Sequence, residues 1–218
     1  MLGRFQFGYS IRFAGPSQCG KTHTLVKLLQ SKDYFYPCPP RRIMWVTGSG
    51  ARNEMLENII LELYPDSEFF YKMPSNEEID EKIQKYDFWV FDDLASELKS
   101  NNSFTNFFTK TTHHKMCMMA YLTQNAYEQG SDSTTRTRNS HYQIFYNNKM
   151  DVRWIRVLGD QLLGNSKQFR SMFCYATPKP FDCLLIDGRP TTNKSEQFIG
   201  NPFNSTEEDP SYFLVPDK

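Results

Sequence analysis

Residues 15–22 read Gly-Pro-Ser-Gln-Cys-Gly-Lys-Thr and complete the pattern G-x-x-x-x-G-K-[ST]. Each residue type in that pattern has a task on a nucleoside triphosphate. Gly15 and Gly20 let the backbone bend so that successive N–H groups of the loop Pro16-Ser17-Gln18-Cys19, Pro16 itself having none, converge on phosphate oxygens. Lys21 brings a point charge to the β- and γ-phosphates, and the Thr22 hydroxyl can hold Mg²⁺. A second chemistry-bearing stretch is Phe88-Trp89-Val90-Phe91-Asp92-Asp93. Its apolar run delivers two carboxylates at what would be the C-terminal end of a buried strand, the edge of an open α/β sheet where ligands bind. Asp92 is expected to hold Mg²⁺ directly or through water, and Asp93 to polarise the attacking water. Two adjacent carboxylates beside a phosphate repel unless a cation is present, so the pair itself argues for the metal. ATP and Mg²⁺ are the expected cofactors.

Elements must hold these residues in place. Tyr9–Ala14 reads as a strand leading into the loop, and Thr22–Gln30, with Leu25, Val26, Leu28 and Leu29, as a helix whose N-terminal dipole faces the anion. Ile43–Thr47 is a second strand, closed by Gly48-Ser49-Gly50. Met55, Leu56, Ile59, Ile60 and Leu63 fall at helical spacing. Glu77–Tyr86 reads as a short polar helix led by Pro74-Ser75-Asn76, and Asp151–Leu163 as another helix. Strands are expected at 88–91, 116–122, 142–146 and 183–186. Strands alternating with helices indicate a three-layer α/β fold with a mainly parallel sheet. Residues 1–195 are expected to form one domain. Residues 196–218, with Pro202, Pro210, Pro216 and the acidic run 207–209, are expected as an extended tail lying mostly on the surface.

The bulk numbers narrow the classes. The 218 residues suffice for one sizeable core, and 39% hydrophobic residues describe a globular chain. Twenty-five basic residues balance twenty-five acidic ones, so no whole-chain field attracts nucleic acid, and DNA contact must come from a local patch or several subunits. No apolar run approaches membrane-spanning length and the N-terminus lacks a signal-peptide core, so no membrane association is expected. Cys19, Cys38, Cys117, Cys174 and Cys183 are odd in number and scattered, which suggests reduced thiols in a cytoplasmic or nuclear setting. Cys19 is either a small filler of the loop or an alkylatable thiol.

The order Gly15–Thr22, Phe91-Asp92-Asp93-Leu94, His113-His114, Leu122-Thr123-Gln124-Asn125 resembles the FtsK–HerA superfamily, above all the genome-packaging ATPases of poxviruses, adintoviruses and Polinton-type elements. The resemblance covers roughly residues 8–190. It implies a P-loop NTPase fold of the ASCE, RecA-like kind, in which an extra strand lies between the Walker A and Walker B strands and ends in a polar sensor. Residues 116–122 would be that strand and Gln124 that sensor, touching the γ-phosphate or the water. It also implies an arginine finger from a neighbouring subunit, for which Arg136 and Arg138 are the candidates. Related sequences often carry Arg-Asp after the next strand, where this chain has Met150-Asp151, with Arg153 and Arg156 further on. Double-stranded DNA, a homo-oligomeric ring of five or six subunits, and a capsid or portal protein are the implied partners. The implied setting is the host cytoplasm or nucleus, or the virion. His113 and His114 either cap a helix or bridge to a neighbour or DNA.

Asn148-Lys149-Met150-Asp151 spells N-K-x-D, the guanine-reading motif of GTPases. A GTPase would also carry D-x-x-G at the strand that ends in Asp92, and neither Asp92 nor Asp93 is followed by that glycine. A strand-to-helix turn with Asp151 as N-cap is the competing reading. A small-molecule or nucleotide kinase and a GTPase-like switch are the alternatives to the translocase.

Overall fold

The computed structural model describes residues 5–48, 52–94, 116–126, 139–150 and 152–216. In chain order these contain β1 (Phe5–Gln6), β2 (Ser10–Ala14), α1 (Lys21–Ser31), β3 (Phe35–Tyr36), β4 (Ile43–Thr47), α2 (Glu54–Leu63), β5 (Glu68–Phe70) and α3 (Asn76–Lys82). There follow β6 (Phe88–Asp92), β7 (Met118–Thr123), β8 (Tyr142–Tyr146), α4 (Arg153–Leu163), α5 (Ser166–Ala176), β9 (Cys183–Asp187), β10 (Phe198–Gly200) and β11 (Tyr212–Phe213).

The central strands carry apolar residues on both faces, as strands covered on both sides must. Side chains alternate across a strand, and the core divides accordingly. Ile11, Phe13, Trp45, Val90, Ala120 and Ile144 face one side, under Leu25 and Leu28 of α1 and Ile60 of α2. Met44, Val46, Trp89, Phe91 and Tyr121 face the other side, against Ile79 and Ile83. Phe145, Leu184 and Ile186 share that second side with Trp154 of α4 and Phe169 of α5. Helices therefore lie on both faces of one sheet, giving three layers.

The sheet has nine strands in the order β11-β10-β9-β8-β2-β7-β6-β4-β5. From β8 to β5 every pairing is parallel. β7 stands between the phosphate-loop strand β2 and the acidic strand β6, the position expected for the sensor strand. The remaining three pairings are antiparallel. The reversal has a local cause. One crossover helix would return the chain to the starting edge of the sheet for another parallel strand. Here two helices follow β8, so the chain comes back to the edge it left and β9 runs the other way. Gly164 at φ +63 ends α4, and Asn165 Oδ1 accepts the Gln168 N–H at 3.1 Å to open α5. Helix α5 is absent from the sequence expectation, although Phe169, Met172, Phe173 and Ala176 fall at i, i+3, i+4 and i+7.

Other expectations shift. The polar helix α3 opens on a complete capping box between Ser75 and Glu78 but ends at Lys82, short of Tyr86. Met55 is exposed at 76%, outside the α2 stripe that buries Ile60. Within residues 196–216 the stretch 204–210 lies exposed, while β10 and β11 extend the sheet and Phe198 and Ile199 are buried. The physical reason is the open side of β9, whose unpaired backbone groups and apolar face these residues cover. No helix among the described residues is long and apolar enough to cross a membrane. The five cysteines are free thiols.

Candidate nucleotide site

Strand β2 delivers Gly15 to the C-terminal edge of the sheet, where its N–H donates to the Thr123 carbonyl at 3.2 Å. Gly15 is required there by space. A Cβ would stand 2.7 Å from Tyr146 Cβ and 2.8 Å from Cys19 Sγ. The bend expected of Gly15 is made elsewhere, by Gln18 at φ +63 and Gly20 at φ +98. Gly20 is the N-cap of α1, and no side chain satisfies the first N–H groups of that helix. Those donors and the helix dipole suit an anion. The Lys21 ammonium curls over the loop, donating to the carbonyls of Gly15 at 2.8 Å and Pro16 at 2.9 Å. Cys19 is not an activated thiol: burial pushes its pKa up, against the opposing pull of Lys21.

Sheet register sets Asp92 of β6 between Thr47 of β4 and Leu122 of β7. There the Thr22 hydroxyl donates to Asp92 Oδ2 at 3.2 Å, across 70 positions of sequence. Burial pushes the Asp92 carboxyl up to about 6, and neighbouring Asp93 pushes the same way, while the Thr22 hydrogen bond and Lys21 pull it down. Asp93 follows at φ +54, a left-handed conformation that Asp tolerates better than most residues. Its Oδ1 accepts the Gln124 Nε2–H at 3.2 Å. The four residues expected to hold metal, orient water and sense phosphate, Thr22, Asp92, Asp93 and Gln124, thus meet as two bonded pairs. With Lys21 they line a cavity of about 300 Å³.

The donor set fits magnesium. A hydroxyl and a carboxylate are hard oxygen ligands, and Mg²⁺ is commonly held by one or two such groups together with substrate phosphates and waters. Among the described residues no cluster of three or more His, Cys, Asp or Glu side chains could hold a metal by itself. A cation beside Asp92 would favour its charged form, against the burial that pushes its pKa up.

The cavity has a second wall that sequence reasoning did not find. Glu57 of α2 is buried, and its Oε1 accepts the Tyr71 hydroxyl at 2.6 Å. Arg52 reaches the same carboxylate, Nε to Oε1 at 3.3 Å. The available signal is that Glu57 stands three residues before Ile60, on the buried stripe of α2. Arg12 is the other omission. Its guanidinium is buried within β2, and Nη2 donates to the carbonyls of Asn125 at 2.9 Å and Ala126 at 2.8 Å. It pins the turn that follows Gln124. A charged residue in the middle of a buried strand was the clue.

Arg136, Arg138, His113, His114 and Asp151 lie outside the described residues, as does Glu97, the next carboxylate after Asp93 and an alternative to it for orienting water. Of the N-K-x-D stretch, Asn148 is committed to a turn: its Oδ1 accepts the Met150 N–H at 3.0 Å. Helix α4 opens with Val152 at the N-cap position and no side-chain cap bond. Arg153 and Arg156 lie exposed on that helix.

No family model matches the chain, and no curated protein matches it by sequence. Solved structures do. The genome packaging NTPase B204 from Sulfolobus turreted icosahedral virus 2, in complex with sulfate, superposes with a TM-score of 0.55 at 10% identity, covering 96% of this chain and 97% of that one. The same protein in complex with AMPPCP gives 0.54 at 12% identity, covering 96% and 98%. B204, the DNA-packaging ATPase from Sulfolobus turreted icosahedral virus, gives 0.56 at 9% identity, covering 98% and 100%. At such identities the likeness is one of fold. Over nearly its whole length, this chain has the three-layer P-loop NTPase fold of viral genome-packaging NTPases.

Proposed function

We propose that this chain is an ATP-hydrolysing DNA translocase that loads a viral or virus-like double-stranded DNA genome into a capsid. The observation that carries the nucleotide chemistry is the meeting of Thr22 with Asp92, and of Asp93 with Gln124, beside Lys21 in one cavity. A triphosphate offers Lys21 charged acceptors in place of the neutral loop carbonyls it now bonds. Thr22 and Asp92 would hold Mg²⁺, which when bound neutralises charge on the β- and γ-phosphates. Asp93 orients the attacking water and accepts its proton. Gln124, bonded to Asp93, reports the γ-phosphate to the turn that Arg12 pins. A neighbouring subunit supplies an arginine, Arg136 or Arg138, to offset transition-state charge.

The translocase part rests on the residue-level resemblance and on the fold shared with B204, whose complexes include one with AMPPCP. It implies a homo-oligomeric ring of five or six subunits around double-stranded DNA, a capsid or portal partner, and action in the host cytoplasm or nucleus or at the virion. The 1–195 domain would be the motor, and β10 and β11 of the 196–218 segment would complete its sheet edge.

ATPase rate measured with and without double-stranded DNA, together with mass in ATP, tests the proposal. DNA stimulation and a ring-sized assembly are expected. A monomer that phosphorylates a small acceptor would make it a kinase. A GTP preference that Asp151→Asn removes would make it a GTPase-like switch.

A further inference from the structure

The cavity around Lys21 opens toward β6 and β4, the side on which a γ-phosphate would meet Asp92, Asp93 and Gln124. A nucleotide lying over the loop must then extend its nucleoside the other way, over β8 and β9. That side carries one conspicuous side chain. Phe181 is exposed at 61%, though it is a large aromatic. Its ring lies against the phosphate loop: a Cβ added to Gly20 would stand 3.2 Å from Phe181 Cδ1.

Its position follows from the topology. Because β9 runs antiparallel to β8, Cys183 at the start of β9 pairs with Tyr146 at the end of β8. The segment just before β9 therefore sits at the same sheet edge as the phosphate loop. That segment is Thr177-Pro178-Lys179-Pro180-Phe181-Asp182, two prolines within six residues. It is closed by the Lys179 N–H donating to Asp182 Oδ2 at 2.8 Å and the Asp182 N–H donating to the Lys179 carbonyl at 3.3 Å. It is tied to the end of β8 by Asn147 Nδ2 donating to the Thr177 carbonyl at 3.4 Å. Within this braced turn Phe181 sits at φ +71, a conformation rare for a bulky residue. Such strain persists only where its surroundings enforce it, and it gathers at ligand clamps and active sites. An aromatic ring held out in water by a rigid, strained turn, beside the phosphate loop and opposite the γ-phosphate side, has the features of a stacking platform.

We infer that Phe181 is the platform on which the base of the bound nucleotide stacks. The inference rests on the proposed nucleotide site. Every base has a π-face, so a platform contributes affinity without reading base identity. ATP and GTP should depend on it equally, which separates it from any contribution of Asn148 and Lys149.

The test is equilibrium binding of ATP, GTP and inorganic tripolyphosphate to the full chain with Mg²⁺. Phe181→Ala should weaken ATP and GTP about ten- to a hundredfold, the range for a lost base–aromatic stack, and leave tripolyphosphate unchanged. Phe181→Trp should bind both nucleotides as wild type does and change its fluorescence on binding them. Equal weakening of ATP and tripolyphosphate in Phe181→Ala would overturn the inference, since the ring would then only buttress Gly20. Unchanged ATP binding in Phe181→Ala, or nucleotide-insensitive fluorescence in Phe181→Trp, would overturn it too. Lys21→Ala separates this inference from its premise: it should lose ATP and tripolyphosphate together, and unchanged binding of both would defeat the nucleotide site itself.

Discussion

Two carboxylates on the same half of the sheet have opposite electrostatics. Glu68 on the edge strand β5 accepts from Lys82 at 2.8 Å and from Lys85, and these bonds, Lys82 first, hold its pKa down to about 2. Asp92 on β6 is pushed up to about 6, chiefly by burial, although Thr22 and Lys21 favour its charged form. Glu68 finds its cations within the chain and is a structural ion pair at the surface. Asp92 is enclosed beside a second carboxylate, in a cavity with a phosphate loop, and its nearby cation does not offset the cost of burial. An acid whose compensating charge must come from outside marks a ligand site more sharply than one already paired.

The largest effects should follow from breaking the cationic side of the Asp92 site. Lys21→Ala removes the charge over the loop and should abolish ATP binding and hydrolysis in titration calorimetry and phosphate-release assays. Asp92→Asn should remove the Mg²⁺ dependence of ATP binding while leaving the nucleotide-free melting temperature at pH 7 unchanged or higher. The second outcome follows because a neutral amide avoids the burial cost borne by the carboxylate. Next in size is the neighbour's charge. If Arg136 or Arg138 reaches the adjoining site, its Ala variant should bind ATP yet hydrolyse it about 10³-fold more slowly. Mixed with Lys21→Ala, that variant should recover part of the activity, because some interfaces then pair an intact loop with an intact arginine. Full activity of both arginine variants alone would redirect attention to Arg153 and Arg156. Asp93→Asn comes third, with near-normal ATP binding and a loss of hydrolysis of about 10²-fold or more. Normal hydrolysis in Asp93→Asn, combined with failure in Glu97→Gln, would move the water-orienting role to Glu97.

What was legible in the sequence was whatever depends on near neighbours. The phosphate loop and the strand ending in Asp92 are short patterns, and β4, β6 and β7 are apolar runs of about five residues. The sensor's place between β2 and β6 came through the family resemblance, since no spacing encodes strand order. Features set by tertiary contact were not legible. Helix α5 has a clear apolar period, but its direction relative to α4 decides whether β9 is parallel, and that follows from the αα turn at Gly164-Asn165. Glu57 reads as a surface acid on an amphipathic helix until Tyr71, fourteen residues later, reaches back to it. Arg12 acquires meaning only from the Asn125 and Ala126 carbonyls, more than a hundred residues away. Buried polar groups are satisfied by distant partners, so their roles appear last.

The smallest effect belongs to Glu68, and it sharpens the contrast because its sign with pH is fixed. The native pKa of about 2 lies below the ordinary 4.5, so the unfolded chain binds the proton more readily and the pair contributes stability above that ordinary value. That contribution declines as pH falls from 4.5 toward 2. Glu68 and its lysines are partly exposed at the surface, so screening keeps the contribution small. Glu68→Gln should therefore lower the urea midpoint slightly at pH 7. The difference from wild type should shrink in 1 M salt and vanish toward pH 2, with ATPase activity unchanged throughout. A loss of activity in Glu68→Gln would mean that the β5 edge communicates with the cavity wall carrying Phe69 and Tyr71, and the division between a paired structural acid and an unpaired functional one would no longer hold.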